Sequence, residues 1–259
     1  MKTALITGAS TGIGAIYAER LARRGYNLVL VARQLDRLNA LADRLAGTGV
    51  KFETIQADLA DRAQLRKVAE RLAADDSIDT LVNNAGLGAT ASLVESALEQ
   101  LDSMVDVNVT ALTHLTHAIA PRLAAKGAGT IINIASIVAV APELLNAAYG
   151  GSKAYVLAFT QALQHELGSK GVRVQAVLPG ATATPFWDVA GTPVQHLPQE
   201  WVMKAEDLVD AALAGLDIGE VITIPSLPDI ADWERFNAAR LALGPNLSRT
   251  KPAARYKLQ

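Results

Sequence analysis

The chain has 259 residues, with 24 Lys and Arg against 26 Asp and Glu, a net charge of −2, no cysteine, and 50% apolar but only 5% aromatic residues. A chain of this size can bury a full core without staples, and zero cysteine excludes a disulfide framework, a thiolate metal site and a cysteine nucleophile. The balanced charge argues against nucleic acid as a partner, and no block of like charge marks a tail or polybasic anchor.

The apolar run before Gly8 is too short for a signal peptide. No window reaches the ~18 unbroken apolar residues of a membrane span. The expectation is a cytoplasmic protein with no membrane partner. Short β-branched or Leu-rich runs at 3–7, 27–32, 52–56, 80–83, 130–134, 173–177 and 221–224 read as strands. Helix compositions lie between them at 13–24, 35–46, 62–74, 98–126, 146–169 and 206–216. Most of the strands are apolar on both faces, as in a parallel sheet covered by helices above and below. The alternation predicts an α/β fold, a doubly wound parallel sheet of about seven strands in a single domain over 1–259. Within it, 1–180 form the cofactor-binding and catalytic core, 181–205 a substrate loop and 206–259 the C-terminal helices and strand. The loop reading rests on Pro185, Pro193, Pro198, Phe186, Trp187 and Trp201 in a stretch without clear period.

The segment Gly8-Ala-Ser-Thr-Gly12-Ile-Gly14 follows the first strand and opens the first helix. A pyrophosphate needs close backbone approach, free N–H donors and a favourable dipole; glycines permit the first and a helix N-terminus supplies the others. Gly8, Ser10, Thr11, Gly12, Ile13 and Gly14 are therefore dinucleotide-binding candidates, an ordinary glycine-rich turn being the plainer alternative. The second strand ends in Ala32-Arg33, with no carboxylate until Asp36. An acidic residue there would bind a ribose 2′-hydroxyl, whereas a guanidinium pairs with a 2′-phosphate. Arg33 thus favours NADP(H) over NAD(H), against the alternative of a solvated strand-end charge; Arg37 and Arg44 on the next helix read as solvated charges.

Tyr149 and Lys153 are four apart in a helical pattern and share a face. A phenol titrating near 10 is a poor acid at neutral pH, and a neighbouring ammonium lowers that value, so the pair can move a proton on and off an alcohol. Tyr17 and Tyr155 read as packing residues with a polar tip. Ser136 ends the fifth strand, Asn83-Asn84-Ala85-Gly86 the fourth and Pro179-Gly180 the sixth. Ligands of open parallel sheets sit beyond such carboxyl ends.

Taken together, Thr7-Gly8-x3-Gly12-x-Gly14, Asp58-Leu59, Asn83-Asn84-Ala85-Gly86, Asn108, Ser136, Tyr149-x3-Lys153 and Pro179-Gly180 make residues 1–185 resemble the short-chain dehydrogenase/reductase family, which has a Rossmann-type fold. The resemblance implies Tyr149 as the acid/base and Ser136 as the group that orients and polarises the carbonyl. Lys153 would bind the nicotinamide ribose and depress the tyrosine pKa, and Asn108 would hold a water linking Lys153 to solvent. Asp58 would contact the adenine, with Leu59 beside it, and Asn83 would hold the central strand and the adenine ribose region. Ala85, Gly86, Pro179, Gly180, Thr182 and Thr184 would line the cofactor, Thr184 gripping its carboxamide. The Ala32-Arg33 pair goes with NADP(H) in that family. Gly150-Gly151 stands where Ala or Ser is common, which loosens the helix start, and Thr182 stands where Ile or Val is usual.

The resulting expectation is an NADP(H)-dependent oxidoreductase that moves a hydride between nicotinamide and the carbonyl or secondary alcohol of a small apolar substrate, acting as a homodimer or homotetramer. The alternative is a catalytically idle NADP(H)-binding regulatory protein. No metal is expected: His114 and His117 are three apart but have no carboxylate pair beside them. Phe186, Trp187, Trp201 and Met203, with Val138, Leu144 and Leu145, either roof the substrate or pack the loop onto the body; the two readings stand equal.

Overall fold

The computed structural model describes residues 2–257. The apolar runs form β1 (Thr3–Thr7), β2 (Asn27–Ala32), β3 (Phe52–Gln56), β4 (Ile78–Asn83), β5 (Gly129–Ile134), β6 (Val172–Val177) and, after two short strands, β9 (Ile222–Thr223). Those short strands, β7 (Thr182–Ala183) and β8 (Met203–Lys204), pair with each other in parallel. The main sheet has seven strands in the order β3-β2-β1-β4-β5-β6-β9, and every pairing in it is parallel. The order reverses between β1 and β4, and a crevice for a ligand opens at such a switch point.

The helices are α1 (Gly12–Arg23), α2 (Leu35–Leu45), α3 (Arg62–Ala74), α4 (Leu98–Val105), α5 (Leu112–Lys126), α6 (Ala147–Leu167), α7 (Phe186–Ala190), α8 (Ala205–Ile218) and α9 (Ile230–Ala242). Successive strand side chains point to opposite faces, so each strand feeds two cores. Ala4, Ile6, Leu28, Leu30, Ile132 and Val177 pack with Leu21, Leu38, Leu41, Val209 and Leu213 from α1, α2 and α8. Leu5, Val29, Val31, Leu81, Ile131 and Val174 pack with Leu65, Leu72, Leu115, Ile119 and Leu163 from α3, α5 and α6.

The expected single helix over 98–126 is interrupted: Asp106–Ala111 winds as a π-helical turn between α4 and α5. β-branched Val107, Val109 and Thr110 weaken the α-helical preference there, and such turns cluster at functional sites. The segment 181–205, expected as a loop, contains α7 and the β7–β8 pair. By contacts the chain forms two compact units, Met1–Pro225 and Ser226–Gln259. The first contains the whole sheet. The second contains α9, whose start is capped by the Asp229 carboxylate accepting from Ala231 N at 2.9 Å.

Candidate active site

The glycine turn is held from both sides of the switch point. Gly8 and Gly12 have φ of 64° and 56°, a region that L side chains enter only at a cost. A β-carbon on Gly14 would lie 2.3 Å from the Gly8 carbonyl oxygen, so α1 starts directly against the end of β1. Asn84 donates from Nδ2 to the carbonyls of Thr7 at 2.9 Å and Gly8 at 3.1 Å. The Thr7 hydroxyl accepts from the backbone N–H groups of Asn84 and Ala85, each at 3.0 Å. No side chain caps α1, Thr11 included, and its first turn carries no acidic residue, so its N–H groups remain for an anion. This cradle fits the pyrophosphate of a dinucleotide.

Asn83 donates from its amide to Thr116 Oγ1 at 3.1 Å and Asn133 Oδ1 at 2.9 Å, which ties β4 to β5 and α5 while its own Oδ1 has no partner among the described residues. Its neighbour Asn84 ties the turn instead. The signal was in the sequence: two amides in succession at a strand end must face opposite ways, so one of them meets β1.

Arg33 is exposed beyond β2, and its carbonyl accepts from Gln56 Nε2 at 3.0 Å. Its guanidinium is unpaired among the described residues. Arg37 and Arg44, read as solvated, line a 440 Å³ crevice together with Ser10, Thr11 and Gly12. Asp58 uses one carboxylate oxygen to accept from Ala60 N at 3.0 Å, closing the turn after β3; Leu59 beside it is buried. Ile13 packs against the α1-side core. Thr184 lies against the turn, its Cγ2 only 3.1 Å from where a Gly12 β-carbon would stand, and the Thr182 hydroxyl donates to the Gly180 carbonyl at 3.0 Å.

The hydroxyl pair forms where β5 meets α6. Asn146 caps α6 by accepting from Ala148 N at 2.9 Å and Tyr149 N at 3.4 Å, and it donates to the Ala91 carbonyl at 2.7 Å and to Ser96 at 3.2 Å. This fixes where α6 begins and so where Tyr149 points. Despite Gly150-Gly151, α6 runs unbroken. Gly150 admits the Pro142 backbone, since a β-carbon would lie 3.2 Å from that carbonyl oxygen, whereas Gly151 faces open space. Gly151→Ala is therefore expected to stabilise the fold by about 1 kcal/mol in urea denaturation with activity unchanged.

The Ser136 hydroxyl lies near enough to Tyr149 to lower its phenol pKa. Ser136 has only long bonds to its own scaffold, donating to the Pro179 carbonyl at 3.4 Å and accepting from Val138 N at 3.3 Å. Lys153 lies on the same face of α6 as Tyr149, with Nζ 5.8 Å from the ring centroid. It donates to the Ile134 carbonyl at 2.9 Å. Gly86 lets the β4 end approach, since a β-carbon there would be 3.4 Å from Lys153 Nζ and from Asn108 Oδ1 alike. Asn108, in the π-helical turn, accepts from Leu87 N at 2.8 Å and donates to the Leu87 carbonyl and to Ser152 Oγ, each at 2.9 Å. Both of its amide protons are committed, so a water beside it would be held through an acceptor oxygen.

The expected lowering of the tyrosine pKa is not what this geometry produces. Burial pushes Tyr149 up to about 12, and the Ser136 hydroxyl only partly counters it. Burial also pushes Lys153 down to about 8, so the ammonium that was to tune the phenol keeps its charge at neutral pH but gives it up well below its ordinary value. At neutral pH the phenol keeps its proton, the form that a reduction consumes. Of the other tyrosines, Tyr155 bonds Thr113 at 2.7 Å, and Tyr17 is buried with its hydroxyl unpartnered.

The apolar roof residues divide. Phe186 packs with Tyr149, Val138, Met104 and Ala89, and Trp187 stands edge-on to Phe186 at 5.7 Å. Leu145 joins the same cluster, whereas Leu144 and Trp201 are exposed and Met203 packs on the α1-side core. Among the described residues no helix is long and apolar enough to cross a membrane.

Residues 2–193 match the family described as short chain dehydrogenase. The chain is similar to serine 3-dehydrogenase of Agrobacterium fabrum, 39% identical over 186 residues, 71% of this chain and 73% of that one. Its structure is similar to a short-chain dehydrogenase from Sphingobium yanoikuyae in complex with NADPH, 47% identical over 98% of both chains, with a TM-score of 0.95. It also resembles an alcohol dehydrogenase from Comamonas testosteroni described as specific for bulky-bulky ketones, 46% identical over 99% of this chain and 98% of that one, with a TM-score of 0.91. With a parallel seven-stranded sheet, a glycine cradle at its switch point and these matches, the chain belongs to the short-chain dehydrogenase family, NAD(P)-dependent oxidoreductases of CH–OH and C=O groups.

Proposed function

We propose that this chain is an NADP(H)-dependent reductase of apolar ketones, running in reverse as a secondary-alcohol dehydrogenase. One observation carries the reading: the hydroxyls of Tyr149 and Ser136 meet at the carboxyl edge of the sheet, beside a buried lysine and next to a glycine cradle. Bound NADPH would supply the hydride, held by the glycine turn, Arg33, Lys153 and Thr184. The substrate oxygen would enter between Tyr149 and Ser136 and take a hydrogen bond from each, so that charge developing on it is met by donors already in place. Tyr149 then gives up its proton to that oxygen. Its position in an apolar pocket favours the protonated form until an alkoxide, a far stronger base, forms beside it. Lys153, with a pKa of about 8, is already an ammonium at neutral pH and limits the cost of the phenolate charge under burial as it appears.

Two relatives support the cofactor and substrate classes, one by its NADPH complex and one by its description as a bulky-ketone enzyme. The unpaired Arg33 guanidinium supports NADPH over NADH. Arg33→Ala is expected to weaken NADPH binding by about tenfold or more while NADH binding holds, read by fluorescence titration; equal loss for both cofactors contradicts the assignment. Consumption of NADPH with apolar ketones is the activity test. Tight NADPH binding with no consumption across a ketone panel would favour the idle regulator.

A further inference from the structure

The phenyl ring of Phe186 stands over the proton donor. Its centroid is 5.9 Å from that of Tyr149, tilted by 42°, and Tyr149 is only 6% exposed beneath it. The seat of this ring is specific. A β-carbon at Gly88 would lie 2.3 Å from Phe186 Cζ and 2.9 Å from Cε2, so the ring occupies the space that any other residue at 88 would fill. The segment carrying it is strapped at both ends. Thr184 abuts Gly12 of the cofactor turn, and the Trp187 indole donates to the Thr182 carbonyl at 3.0 Å. At the far end the Ala190 carbonyl accepts from both the N–H and the hydroxyl of Thr90, each at 2.9 Å.

Given the ketone-reductase reading, we propose that Phe186 is the specificity-determining gate of the pocket, its seated ring occupying the place that the larger carbonyl substituent must take. A ring held between Gly88 and Tyr149 blocks the approach of a wide substituent to the phenol far more than that of a narrow one. Its side chain can swing only away from the Gly88 seat, because the straps leave the backbone of α7 little freedom. Selectivity then follows from the difference in the work of unseating the ring, not from polar recognition, and differences of that kind in apolar pockets are modest.

The test compares kcat/KM for butyrophenone and butanone with NADPH in the parent enzyme, Phe186→Ala, Gly88→Ala and the double variant. Phe186→Ala is expected to raise the butyrophenone-to-butanone ratio by about tenfold with the KM for NADPH unchanged. Gly88→Ala, which denies the ring its seat, is expected to move the ratio the same way, and to add nothing once Phe186 is already Ala. A ratio that stays within about twofold in Phe186→Ala, or additive effects in the double variant, overturns the gate while the reductase reading stands. Turnover of neither ketone by the parent enzyme overturns both. If Gly88→Ala does not fold, Phe186→Leu replaces it, with an intermediate ratio expected and an unchanged one contradicting the gate.

Discussion

Tyr149→Phe is expected to lower kcat by about three orders of magnitude while leaving NADPH affinity within about twofold, since loss of a positioned acid costs on that scale. The substitution removes one oxygen and nothing else from the packing, so the ring keeps its contacts with Val138, Met104 and Phe186. Ser136 can still hydrogen-bond the substrate oxygen but cannot replace the phenol as its proton donor. Absorbance of NADPH gives kcat, and fluorescence of the bound cofactor gives its affinity. A variant that turns over at close to the parent rate removes Tyr149 from the chemistry. A variant that loses cofactor binding as well would make the phenol a structural support of the cradle instead.

Lys153→Met is expected to cost about two orders of magnitude in kcat/KM, and it has a second signature that a purely structural lysine on the surface would lack. Burial holds the ammonium at about 8 against its ordinary 10.5. Between those two values the unfolded chain carries a proton at this position that the folded chain does not, so the lysine's contribution to stability rises with pH across that window and is flat below about 8. The parent should therefore gain about 1–3 kcal/mol relative to Lys153→Met between pH 8 and 10, measured by urea denaturation. A difference independent of pH would mean that the lysine is solvated in the folded state, contrary to its bond to Ile134 beneath Tyr149.

The sheet was the most legible part of the molecule. β1, β2, β3 and α3 begin and end where the sequence pattern predicts, because a strand covered on both faces is apolar throughout and stands out from its flanks. Periodicity was silent where function bends the chain. Nothing in the 98–126 pattern distinguishes an α-helix from one opened by a π-helical turn, yet that turn places Asn108 against Leu87 and Ser152. Short α7 was hidden by the prolines around it, and the placement of Phe186 on Gly88 involves a contact across most of a hundred residues that no local pattern encodes. That Tyr149, Ser136 and Lys153 would meet at one edge of the sheet could be read from spacing and strand ends. Their ionisation could not, because it is set by burial, a property of the folded surroundings.

Reduction of butyrophenone with NADPH deuterated at both C4 positions tests the central claim most directly, since it follows the transferred atom. Mass spectrometry of the alcohol is expected to show one deuterium, on the carbinol carbon, in the parent enzyme. Alcohol formed without label, or oxidation of the cofactor that leaves the ketone intact, would contradict hydride transfer in this pocket.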